Sequence, residues 1–250
     1  VTATPLGRNR RTALAGALCA GLVVTGTGLT GCSEDPDAGT NGVGKLPAEQ
    51  IHKRTLAAAE AADTVRLSGA VVSGKTTYKL DIKLSDDGAS GAVTAENATF
   101  QLLRVGEQLY LKADAAFWEQ EDGGSKGSTG TAAEKLEGKY VKVPDEDPAY
   151  KRFSGFTDKD TLLTGLLALH GGLSTDGRHE VDGVRTVRVA GGDGSGGALD
   201  VSLEGKPYPL RLSRAGNAGA LTLTDWNKPF TPKPPPTDET VDYGTDLPTT

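Results

Sequence analysis

The run YKLDIKLS, residues 78–85, alternates Tyr78, Leu80, Ile82 and Leu84 with Lys79, Asp81, Lys83 and Ser85. Successive side chains of a strand point to opposite faces, so a segment of this kind buries one side and wets the other, as antiparallel sheets do. The same period places Leu199, Val201 and Leu203 together, and Tyr208, Leu210 and Leu212 across a turn at Gly205 and Lys206. VRLSGAVV, ATFQLLRV, QLYLKA, KYVKV, VRTVRVA and ALTLTDW add further strands, and Gly106-Glu107 marks a tight hairpin. With aromatics at only 5% of residues, the core must be built mainly from Leu, Val and Ala.

Two segments follow a helical pattern instead. Pro47 opens PAEQIHKRTLAAAEAAD, whose alanine content predicts a helix to about Ala62. In TDKDTLLTGLLALHGG, Thr157 and Asp160 have capping-box spacing, Leu162, Leu163, Leu166, Leu167 and Leu169 form an apolar stripe, and Gly171 stands where a C-terminal cap belongs. Many strands with two helices predict an α+β layer, the helices covering one face of the sheet.

Before the strands the chain reads RNRRTALAGALCAGLVVTGTGLTGC: basic residues, an uncharged Ala/Leu/Val/Gly run, then small residues before Cys32. This is the build of an export signal. A membrane span is the competing reading by length, but the run is weakly apolar and lacks a basic flank after it. Leu29, Thr30, Gly31 and Cys32 resemble the bacterial lipobox, which implies that Cys32 receives a diacylglyceryl thioether and becomes the mature N-terminus. Cys19, the second cysteine, lies in the segment that would be removed, so no disulfide framework or cysteine metal site is expected. Domain boundaries follow: a signal over 1–31, a lipidated cysteine and flexible acidic tether over 32–45, a folded domain over 46–230 and a Pro-rich disordered tail over 231–250.

Little in the chain points to covalent chemistry. His52, His170 and His179 are far apart, His52 on the first helix and His170 in the last turn of the second, where a cation complements the helix dipole. Gly192, Gly194 and Gly197 satisfy GxGxxG, but a strand follows where a dinucleotide site requires a helix, so a hairpin loop is the better account. The same stretch misses the GDSGG of trypsin-like proteases because Gly194 separates Asp193 from Ser195. Asp86-Asp87, Glu121-Asp122 and the DEDP run at 145–148 read as solvated turn charges, not calcium ligands. Phe117, Trp118 and Trp226 read as core anchors. A net charge of −6, with Lys and Arg scattered among Asp and Glu, does not suit nucleic acid. The sequence therefore predicts no enzyme, no metal and no cofactor.

From about residue 45 to 230 the order of features resembles the LppX/LprG-type lipoproteins of actinobacteria, similar in shape to the LolA and LolB carriers. The likeness is carried by the lipobox, the acidic tether, the Ala-rich helix, LLRVGEQLYLKADAAFW, LEGKYVKV, VDGVRTVRV and LTLTDWNKPF. It implies a strongly curved antiparallel sheet, a half-barrel, with helices closing its concave face over an apolar cavity for lipid or lipoglycan acyl chains. On that implication the lining comes from Leu67, Tyr78, Leu80, Ile82, Leu84, Phe100, Leu102 and Leu167, on a protein held by Cys32 at the outer face of the cell membrane. The alternative is an envelope interaction or sensor-accessory module, in which the same residues are filled core. Two or more acyl chains hold a protein firmly where one does not. Cys32→Ala is accordingly expected to move the protein from the detergent phase to the aqueous phase in a phase-partition assay.

Overall fold

The computed structural model describes residues 37–95, 98–115, 117–118 and 136–242. Leu29, Thr30, Gly31 and Cys32 lie outside the described residues, as does the signal segment. The described residues include one twelve-stranded sheet and three complete α-helices. In chain order these are α1 (Ala48–Glu60), β1 (Thr64–Ser73), β2 (Thr76–Ser85), β3 (Gly88–Ala95), β4 (Ala98–Val105), β5 (Gln108–Ala113) and β6 (Tyr140–Val143). There follow α2 (Pro148–Thr157), α3 (Lys159–Leu167), β7 (Leu173–Val181), β8 (Val184–Gly191), β9 (Ala198–Ser202), β10 (Pro209–Ser213), β11 (Gly219–Thr224) and β12 (Thr240–Asp242).

The sheet runs β12-β6-β5-β4-β3-β2-β1-β11-β10-β9-β8-β7 and is open. Every pairing is antiparallel except β12 with β6. Strands β1 to β5 and β7 to β11 pair in sequence through short connections, β6 joins β5 after residues 114–139, and β11 returns to lie beside β1. Register lines up the apolar positions strand by strand: Leu223, Leu67, Ile82, Gly91, Leu102, Leu111 and Val141 share one row. That face and the helix residues Ile51, Ala59, Phe153, Leu163 and Leu167 make a single core cluster. The predicted α+β class, a largely antiparallel sheet with a few helices on its apolar face, is the architecture observed.

Strand β3, GASGAVTA, carries small residues because the neighbouring backbone is close. A Cβ at Gly91 would stand 2.3 Å from the Asp81 carbonyl oxygen. Strand β7 is exposed along almost its whole length, so it carries no alternation for a sequence reading to find.

The leucine-rich region departs from the single helix expected from Thr157 to Gly171. Thr157 ends α2, and Asp158 turns the chain directly into α3: its N–H donates to the Ser154 carbonyl at 2.9 Å, and its carboxylate accepts from the Thr161 N–H at 2.8 Å. Hydrogen bonds from the backbone and side chain of Thr161 hold the Asp158 carboxyl below the usual carboxylate range. Helix α3 stops at Leu167, and Gly171, at φ +82°, lies beyond it against the Gly192 backbone. His170 is therefore not in a helical turn; it is exposed, and its backbone N–H donates to Gly196 at 3.0 Å. Helix α2 begins where DEDP was read as solvated charge: Asp147 is buried and accepts from the Ala149 N–H at 2.7 Å, with Pro148 in the first turn.

Both flanking segments, expected to be free of the domain, are partly fixed to it. Of the expected tether, residues 37–45 lie against the ends of β8 and β9. The Asn41 N–H donates to Leu203, its side-chain amide donates to Ser202 and Gly205, and Val43 is 1% exposed in the core. Asp37 pairs with Arg178 at 2.5 Å. Of the expected disordered tail, Pro232 is buried beside Gly88 and β12 extends the sheet at its β6 edge. An apolar end and a free sheet edge account for these placements, since both leave groups that gain by being covered.

Gly69, at φ +141° in the middle strand, faces the β11 backbone so closely that a Cβ would be 2.4 Å from the Ala220 carbonyl oxygen. Gly69→Ala is expected to destabilise the protein by about 2–4 kcal/mol through backbone strain and overpacking. Denaturant unfolding measures it, against Gly106→Asn as a comparison at an open turn.

Candidate functional site: an apolar groove between two helices

Helix α1 sets Ile51, Thr55 and Ala59 against the core, one residue per turn, and leaves Leu56 beside that stripe. Helix α3 has more leucines than one narrow face can bury: Leu163, Leu166 and Leu167 are buried, while Leu162 is only partly so. Between the two helices lies a groove of about 450 Å³. Leu56, Ala59, Leu163, Leu167, Ala168 and Leu169 make it apolar, and His52, Thr164, Glu60 and Asp160 supply its polar groups. A volume of this size falls in the range of small-ligand sites, roughly 300–1,000 Å³.

Polar contacts clamp both ends of the helix pair. At one end His52 Nε2 lies 2.9 Å from the Leu167 carbonyl oxygen, so that nitrogen carries the proton and donates. This satisfies a carbonyl at the end of α3 that has no partner within the helix. At the other end Lys159, only 3% exposed, donates to the Ala62 carbonyl just past α1 and pairs with Asp86 of the β2–β3 turn at 2.6 Å. Asp160 adds a longer contact to the same ammonium at 3.6 Å. A buried lysine is tolerable only with such partners. Asp86, exposed in its turn as its sequence context suggested, also serves as a counter-ion to the buried ammonium. A further tie comes from Arg104, whose Nε donates to the Thr157 carbonyl at 3.0 Å and holds the α2–α3 junction over β4.

The sequence placed eight residues around a cavity. Leu67, Leu80, Ile82, Leu84, Phe100, Leu102 and Leu167 are buried in the core cluster, and Tyr78 packs against it partly exposed. Of the eight, Leu167 alone also lines the groove. Phe100 belongs to an aromatic contact group, 5.1 Å from Phe117 and 5.5 Å from Phe153, with Trp118 edge-on to Phe117 at 5.3 Å. Trp226 stacks on Tyr208 at 4.7 Å and donates to the Pro209 carbonyl. Sequence reasoning missed His52, Leu56 and Ala59, because each belongs to an ordinary helix and only the packing of α3 beside them makes a site. The leucine stripe read from the sequence reached only Leu163, Leu167 and Leu169 of the lining. His179 is exposed, with Nε2 at 2.7 Å from the Asp176 carbonyl oxygen of its own strand. Among the described residues no group of three or more His, Cys, Asp or Glu is arranged to hold a metal ion.

Comparison with known proteins gives no family assignment. No protein-family model matches the chain, and no curated protein does. Among solved structures the chain is similar to an uncharacterized conserved protein from Thermus thermophilus, at 10% identity and a TM-score of 0.37, covering 78% of this chain and 98% of that one.

The clamp at Lys159 yields a differential expectation. Asp86→Ala leaves a buried ammonium short of its nearest counter-charge, whereas Asp87→Ala removes a carboxylate with no such role. Asp86→Ala is expected to cost about 1–3 kcal/mol more than Asp87→Ala in denaturant unfolding.

Proposed function

We propose that this chain is a lipid-anchored protein of the extracytoplasmic membrane face that binds and carries lipid or lipoglycan acyl chains, built as the curved half-barrel of the LppX/LprG type. The observation that carries the reading is the groove between α1 and α3: apolar along its length, of ligand size, and edged by polar groups. Such a site takes a hydrocarbon chain because water leaves its walls and the chain together, at about 25 cal/mol per Å² of apolar surface removed from water. The polar edge leaves a headgroup in contact with water. No bond is made or broken. Support for the anchor is the order of basic, apolar and small residues ending at Cys32. No helix among the described residues is long and apolar enough to cross a membrane.

Native mass spectrometry of the protein isolated from bacterial membranes tests this reading. Acyl lipid is expected to co-purify, and Leu56→Arg, which sets a cation in the groove from a partly exposed position, is expected to reduce its occupancy at least tenfold in protein that still unfolds cooperatively. Protein that carries no lipid in either form would overturn the carrier and leave the interaction module.

A further inference from the structure

The face of the sheet opposite the helices is basic, although the chain as a whole has a net charge of −6. Register fixes which side chains share it. The row Arg188, Asp200, Arg211, Thr222, Ser68, Asp81 lies next to a row through Arg66, Lys83 and Lys142. From β8 to β12, the carboxylates this register places on the face are Asp81, Asp200 and Asp242, and each is paired. Arg66 holds Asp81 through two hydrogen bonds at 2.8 and 2.7 Å, Arg188 holds Asp200 at 2.8 and 3.0 Å, and Lys142 pairs with Asp242 at 3.2 Å. Lys79, Lys83, Lys112 and Arg211 are left over; no carboxylate among the described residues forms an ion pair with them. Lys79, Lys83 and Arg211 are exposed, and Lys112 stands over the Tyr140 ring at 4.9 Å. On this face basic side chains therefore outnumber the carboxylates that the register places there.

We propose that this face is a docking surface for an anionic phospholipid bilayer. Basic residues near an anionic membrane each strengthen binding by roughly fivefold. The orientation given next to a bound chain rests on the carrier reading above; the charge argument does not. Docked in this way, the sheet faces the bilayer and the groove between α1 and α3 faces away from it. A chain held in the groove is then presented toward the cell wall.

Flotation with vesicles tests the proposal on the full chain carrying Cys32→Ser, so that acylation plays no part. Vesicles are equimolar phosphatidylglycerol and phosphatidylcholine, or phosphatidylcholine alone. Lys79→Gln with Lys83→Gln is expected to weaken binding to the anionic vesicles about 25-fold. Lys53→Gln with Arg54→Gln makes the same charge change on exposed positions of α1, on the helix side, and is expected to change binding less than twofold. Raising salt is expected to release the unsubstituted protein from anionic vesicles, and this arm stands even if the sheet variant does not fold. Equal losses in the two variants, or equal binding to both kinds of vesicle, overturns the proposal. So does retention on an anionic polysaccharide without vesicle binding. None of these outcomes touches lipid occupancy of the groove, which is read separately by mass spectrometry.

Discussion

One apolar face spread over most of a twelve-stranded sheet must be kept from water, and helices α1, α2 and α3 are where they are because they cover it. Each strand contributes few buried residues, such as Leu80, Ile82 and Leu84 from β2 or Leu109 and Leu111 from β5, so no strand pair is a core by itself. Burial becomes favourable only when the rows are in register and a helix lies on them, since apolar stabilisation follows area removed from water. The helices are short, and isolated helices of nine to thirteen residues are marginal in water. Sheet and helices therefore stabilise one another.

Hydrophobic burial does not fix how the helices sit, because it has no direction. The polar contacts do. His52 to Leu167 and Lys159 to Ala62 and Asp86 hold α3 beside α1 at both ends, and Arg104 holds the junction at Thr157. A groove persists between α1 and α3 because these clamps set their separation while the side chains between them, Ala59 and Ala168 among others, are too small to fill it. Site and stability are in this sense made by the same few polar residues.

Much of the fold was legible from period alone. Strands β1, β2, β4 to β6 and β8 to β11, the first helix and the Gly106-Glu107 hairpin follow from alternation and turn chemistry. What escaped did so for identifiable reasons. Strand β3 is Gly- and Ala-rich where the Ile82 backbone crowds it, and β7 is an exposed edge without a buried face. The break at Asp158 was hidden because one residue both ends α2 and caps α3. The α1–α3 groove was not legible, since its walls are two ordinary helices brought together from positions more than a hundred residues apart.

The amino-acid sequence by itself determined which residues alternate, and hence that a mostly antiparallel sheet with one wet face would form, because the two-residue period of a strand is a local property of the backbone. It determined the net charge of −6 and the string of residues ending at Cys32. The tertiary structure alone decided that Lys79, Lys83, Lys112 and Arg211 fall on a common surface, and that Leu56 meets Leu163 across a groove. Charge and apolar area sum over neighbours in space, and neighbours in space are set by register and helix docking, which no local window of sequence contains.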